Sequence, residues 1–172
     1  QLGRHDLRVL LQEPGAECDL NGIVVTQANQ HFDNHTCIEH IAPHCTSNEN
    51  YRCIADGKSQ IVFNGRIHIV PEAQKTLGTM NNNNLILSPT AEIDSKPELE
   101  IYADDVKCAH GTTIGQLDEE EIYYLKTRGL TDEQARQMLT LGFVLKVVRN
   151  AKVDEIADFW ETILSNLLSF QD

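Results

Sequence analysis

At 172 residues with 41% hydrophobic side chains, the chain has material for one sizeable core and a small appendage, which excludes intrinsic disorder. Its formal net charge is −12, divided unevenly: residues 1–86 hold 9 acids against 6 bases, and residues 87–172 hold 17 against 8. No Lys/Arg cluster exists to displace counterions from phosphate, so nucleic acid and anionic membrane are poor partners, and no apolar run approaches the roughly 18 residues of a membrane span.

The chain opens on Gln1, without the basic-then-apolar order of a secretory signal, and reaches the strand-like residues 7–11 at once. It therefore reads as part of a longer protein. Short apolar runs follow as far as about residue 115: VLL, IVV, CIEHI, IVFNGRIHIV, NLILS and LEIYA, punctuated by Asn, Gly, Asp and Ser. None is bracketed by an amphipathic helix, so a βαβ sheet is disfavoured, and no blade signature suggests a propeller. Asn21-Gly22 and Asn64-Gly65 fall within runs as often as between them, which suits a coiled solenoid better than a hairpin-built sandwich.

Cys37, Cys45 and Cys53 recur every eight residues, as in a flattened coil of two short strands per turn. That spacing predicts Cys37 and Cys53 on one sheet and Cys45 on the other. The five cysteines, with Cys18 and Cys108 included, are odd in number and contain no CxxC pair; a reducing cytoplasm fits them better than a disulfide framework. CIEHIAPHC superficially offers Cys37, His40, His44 and Cys45 as a zinc set, but strand alternation sends Cys37 and His40 to opposite faces and Pro43 breaks any helix. A structural or partner-facing role is the better reading there. His31, His35 and His68 carry no distinctive constellation. Residues 81–84, four consecutive asparagines, suit an amide ladder or a turn, and the turn is favoured.

Residues 97–118, PELEIYADDVKCAHGTTIGQLD, carry the most chemistry. Asp104-Asp105 reads as a turn between strands. In the strand beyond it Val106, Cys108, His110, Thr112 and Ile114 share one face, and Lys107, Ala109 and Thr113 take the other. Cys108 and His110 then stand roughly 6.5 to 7 Å apart at their Cα atoms, within reach of one ion or one sulfur atom. Two ligands do not close a four-coordinate site, so a partner chain has to supply the rest. From spacing alone a structural role for Cys108 is the commoner outcome, because free cysteine is among the most buried residue types.

At Asp118 the period changes. DEEE offers an N-cap with Glu121 at N3, Ile122 and Leu125 lie three apart, and Gly129 falls at a helix end. Thr131 and Gln134 form a capping-box pattern for a second helix with Ala135, Met138, Leu139 and Phe143 along one face. A third helix over residues 154–170 carries Ile156, Phe159, Trp160, Ile163, Leu164, Leu167 and Leu168 as a broad stripe, expected to pack on the other helices and the end of the solenoid, with partner binding as the alternative and room for both on different sides of the helix. The predicted organisation is a β-helix over residues 1–116, forming the last coils of a longer one, and a helical subdomain over residues 117–172.

No GxSxG, HExxH or Walker-type loop is present. The rival enzyme reading is a polysaccharide-cleaving β-helix using Asp104 and Asp105, but adjacent strand residues point apart and such enzymes are usually secreted.

The stretch from FNGRIHI through NNNNLILS to KPELEIYADDVKCAHG, followed by GQLDEEEIYYLKTRG, resembles the SufB/SufD family of the SUF iron–sulfur cluster assembly machinery, and SufD within it. The likeness is dense over residues 64–139 and fades after about residue 148. It implies a flattened right-handed parallel β-helix with two strands per coil, followed by C-terminal helices. It also implies a non-catalytic scaffold in a cytoplasmic complex of SufB, SufC and SufD. The CxH element, here Cys108 and His110, would lie where the last coils meet SufB, or a second SufD in a homodimer, and would share a transient iron–sulfur cluster; none is expected on the isolated fragment. The helices would dock the SufC ATPase through Ile122, Tyr123, Tyr124, Lys126, Arg128, Gln134 and Met138. A SufB-like scaffold bearing the cluster alone is disfavoured by CAHG, where SufB proteins typically carry an acidic residue after the histidine.

Overall fold

Ten-residue stretches with side chains alternating between lumen and solvent build the first part of the protein. The computed structural model describes residues 1–168. Its two units are residues 1–114 and the residues from Gly115 onward. The first holds β1 (Leu2–Leu11), β2 (Glu17–Thr26), β3 (His31–His40), β4 (Thr46–Ala55), β5 (Gln60–Ile69), β6 (Thr76–Ile86), β7 (Glu92–Ile101) and β8 (Val106–Gly115). Odd-numbered strands form one sheet in the order β1-β3-β5-β7, and even-numbered strands form the other, β2-β4-β6-β8. Parallel registers pair Leu2 with His31, His31 with Gln60, and Gln60 with Glu92. The chain is thus a β-solenoid of four coils with two strands per coil, the architecture expected from the sequence.

The corners explain how the coil repeats. Gly15, His44 and Lys75 adopt positive φ at successive levels of one corner, and Ala28 and Gly57 do so at the other. Backbone bonds stack these corners: His44 N–H donates to Gln74 C=O at 2.9 Å and Lys58 N–H to Ala28 C=O at 2.7 Å. Gly57 is tied to its place twice over, by a φ of +69° and because a Cβ would lie 2.9 Å from the Ala28 nitrogen.

The true repeat is longer than the cysteine spacing suggested. Side chains one coil apart are separated by 29 residues at His31–Gln60 and by 32 at Gln60–Glu92, because each coil contains two strands and both corners. Cys37 accordingly projects outward from β3, between Arg8 and Arg66 in register, while Cys53 is buried inside β4 of the other sheet and Cys45 is buried in a corner. The expected stacking of Cys37 on Cys53 is wrong for that reason. The turn reading of residues 81–84 is also overturned. All four asparagines lie inside β6, with Asn82 and Asn84 in the lumen and Asn81 Nδ2 donating along an outer amide ladder to Asn50 Oδ1 at 3.5 Å.

Ile61, Phe63, Ile67, Ile69, Met80, Tyr51 and Cys53 form the main core. One coil is unusually polar inside. Thr36 Oγ1 donates to Glu49 Oε1 at 2.6 Å, His40 Nε2 lies 2.8 Å from Ser47 Oγ, and Glu49 Oε2 has no hydrogen-bond partner among the described residues. Burial pushes the Glu49 carboxyl up to about 7, opposed by the Thr36 hydrogen bond, and lowers His40 to about 4. Folded protein therefore holds the Glu49 proton more tightly than unfolded chain does. Its contribution is fully present below the ordinary carboxylate range and is lost as pH rises through about 7, reaching a cost on the order of 3 kcal/mol at pH 8. Glu49→Gln keeps the Thr36 acceptor and removes the charge. Thermal melts are expected to show the variant more stable than the parent at pH 8 and nearly equal to it at pH 5, where His40 acts on both alike; an equal difference at both pH values contradicts the account.

The second unit contains α1 (Glu119–Thr127), α2 (Asp132–Val148) and α3 (Asp154–Leu167). Asp118 caps α1 by accepting from the Glu120 N–H, and Thr131 and Gln134 complete the expected capping box of α2. Gly129, at φ +97°, follows the α1 C-cap as the sequence indicated. The α3 stripe departs from expectation. Leu164 and Leu168 are buried, whereas Ile156, Phe159, Trp160 and Leu167 face solvent, because the stripe is wider than the single α2 contact it meets in this unit. Phe170 lies outside the described residues. Among those described, no helix is long and apolar enough to cross a membrane.

Candidate functional site

β8 ends its sheet and β7 ends the other, so the fourth coil presents two strand edges and an open lumen face. The alternation predicted for β8 is present. Val106 and Cys108 pack on the core cluster, and Thr112 Oγ1 reaches across the lumen to donate to Ser95 Oγ at 3.0 Å. Thr113, of opposite parity, donates outward to Asn83 Oδ1 at 2.9 Å. His110 falls between Cys108 and Thr112 on the lumen-facing register, but on this last coil it is exposed while Cys108 is half-buried. The strand thus brings thiol and imidazole to one face.

A hydrogen-bonded brace flanks them. Ser95 Oγ donates to Asn82 Oδ1 at 2.6 Å, and Asn84 Nδ2 donates to Asn82 Oδ1 at 2.7 Å and to Thr113 C=O at 2.9 Å. Both sheets are therefore tied together beside His110. Sequence reading missed Asn82 and Ser95, because only contacts across the lumen bring them beside β8.

Burial pushes the Cys108 thiol up, and a hydrogen bond with the Gly78 backbone opposes that shift. The sulfur is consequently held as the protonated thiol at neutral pH. Among the described residues no group of three His, Cys, Asp or Glu is arranged to hold a metal ion. Cys108 and His110 are two donor groups, too few by themselves to close a four-coordinate site. Asp104 and Asp105 lie in the corner before β8, where the Asp105 N–H donates to Gln74 Oε1 at 2.9 Å. Around the edge Ile114, Ile101 and Tyr102 are exposed.

The residues proposed from the sequence for docking divide into two sets. Ile122 is 1% exposed and belongs to the interior of its unit, and Gln134 is occupied by the capping box. Lys126 Nζ donates to Asp132 at 2.7 Å. Tyr123 and Tyr124 are exposed, and the Arg128 guanidinium lies 5.1 Å from the Tyr124 ring centroid. Met138, 54% exposed and outside the buried face of α2, lines a groove of about 710 Å³ with Arg128, Leu130, Leu141 and Leu145. Its lining is an apolar floor with one cation, Arg128, among it.

Comparison with known proteins bears on the whole of this arrangement. A family model described as "SUF system FeS cluster assembly, SufBD core domain" matches residues 1–143, which includes β8 and most of α2. The "Iron-sulfur cluster assembly protein SufD" of Escherichia coli (strain K12) is 40% identical over 144 residues, 84% of this chain and 34% of that protein. A SufBD family protein of Synechocystis, slr0076, is 38% identical over 148 residues, covering 86% of the chain and 33% of the relative. "Protein ABCI7, chloroplastic" of Arabidopsis thaliana is 34% identical over 159 residues, 92% and 34% of the two chains. The chain spans about a third of the length of these curated relatives.

Proposed function

We propose that this chain, which belongs to the SufBD core family of the SUF iron–sulfur cluster assembly system, is a non-catalytic scaffold whose fourth coil supplies one half of a cluster-building seam. The observation that carries the reading is the pairing of a half-buried thiol with an exposed imidazole on one face of an edge strand. SufB, or a second copy in a homodimer, completes the seam by pairing with the exposed strand edges and adding ligands, including a cysteine. Iron and sulfur enter as substrates and leave as a cluster. Coordination would release the Cys108 S–H proton to solvent as the sulfur binds the metal, and no other bond of this chain need break; its residues hold and orient.

Cys108 offers the soft donor and His110 the borderline one, while the Asn82–Ser95–Thr112 brace keeps the strand that carries them in register with both sheets. The helices dock the SufC ATPase by the Met138 groove and the Tyr123–Tyr124 surface. ATP-driven dimerisation of SufC then pulls through those helices and opens the seam to its substrates. The cytoplasm is the compartment in which such thiols stay reduced.

Co-expression with SufB and SufC, purified through a tag on the full-length protein, tests the assembly. Joint elution of the three subunits with ATPase activity is expected. Recovery of the tagged protein without either partner contradicts the proposal.

A further inference from the structure

Glycine inside a strand weakens it, so each such glycine asks what occupies the space. Gly78, in the interior of β6, has no positive φ to require it. It is buried and faces the lumen, in register with Ser47 of β4. On the β8 side its neighbour is Cys108. A Cβ built at Gly78 would lie 3.3 Å from Cys108 Sγ, 3.5 Å from Ile67 Cγ2 and 3.6 Å from Ile67 Cδ1. The first distance is tighter than ordinary carbon–sulfur contact, and the other two close the opposite wall.

The other lumen-facing glycines have a different explanation. Gly22 makes room for the Tyr51 ring and Gly65 for Met80 and Phe63, all of them buried core side chains. At Gly78 the space is taken by a half-buried thiol at the open coil. We propose that Gly78 is a positioning residue for Cys108: its missing side chain leaves the slot, walled by Ile67 and the β6 backbone, in which the sulfur is seated. The significance for cluster assembly rests on the reading of Cys108 given above; the seating of the thiol does not.

The test is the rate of alkylation of Cys108 by iodoacetamide in the purified full chain, read by peptide mass spectrometry at one fixed pH. Gly78→Ala pushes the sulfur toward solvent, which relieves its burial. A severalfold faster reaction is expected, with Cys18 and Cys37 unchanged as internal standards. Ile67→Val widens the slot from its other wall and slows the reaction. Gly111→Ala, whose Cβ would meet only Asn81 Oδ1 at 3.4 Å, leaves Cys108 as it was. The parental rate in Gly78→Ala, or the same change in Gly111→Ala, overturns the proposal. Failure of the cluster reading has its own signature: Cys108→Ser leaves cluster yield intact while Gly78→Ala still alters the thiol.

Discussion

His110→Ala in the assembled complex is expected to reduce the yield of iron–sulfur cluster by roughly tenfold or more, the scale on which metal sites respond to lost ligands or their supports. The imidazole stands exposed on the lumen register of the last coil, and the core is not built on it. The variant should therefore fold and co-purify with its partners as the parent does. That combination separates a ligand from a structural residue. Undiminished yield rejects the role of His110, and loss of the complex along with the cluster returns the residue to the packing of the seam. His110→Cys, which restores a soft donor at the same register, is expected to recover part of the yield.

Met138→Glu is expected to release the ATPase subunit. The groove it lines is floored by Leu130, Leu141 and Leu145, and a carboxylate buried there on docking has only Arg128 within the lining to offset it. Breaking such an interface with a poorly compensated charge costs about 3 to 5 kcal/mol, or more than about two orders of magnitude in Kd. Because Met138 is exposed in the chain itself, the helix should survive. Titration of the SufC subunit by calorimetry reads the effect. Binding within a few-fold of the parent contradicts docking at this groove, whereas Met138→Ala should weaken it by a smaller step.

The solenoid was legible because its strands alternate strictly. In β5 the apolar residues Ile61, Phe63, Ile67 and Ile69 fall on one parity, and no helical period competes before Asp118. Capping chemistry marked α1 and α2 just as directly: Asp118 caps the first, and Thr131 and Gln134 satisfy each other's backbone groups in the second. Coil length was not legible. It depends on corners held by positive φ at His44, Lys75 and Ala28, residue types that do not announce that conformation, and three cysteines at equal spacing imitated a period that the coil does not have. The asparagine run misled for a related reason: isolated amides suit turns, but stacked ones satisfy each other across coils. Of the site, the shared face of Cys108 and His110 could be read from spacing. Gly78, Asn82 and Ser95 could not, because they come beside β8 only through coil stacking and contacts across the lumen. Ile122 failed as a surface residue since the helix turns it inward, and the wide stripe of α3 failed as a core because its unit covers only one side of it.

A thiol and an imidazole presented together to a neighbouring subunit is the claim on which the functional account stands. Treating the purified complex with a short bis-maleimide and mapping the products by mass spectrometry tests it most directly. The account predicts that Cys108 becomes joined to a cysteine of the SufB subunit, and that Cys108→Ser abolishes this product while leaving the complex intact. Recovery of Cys108 only as single-ended adducts, with the two subunits still associated, would contradict it.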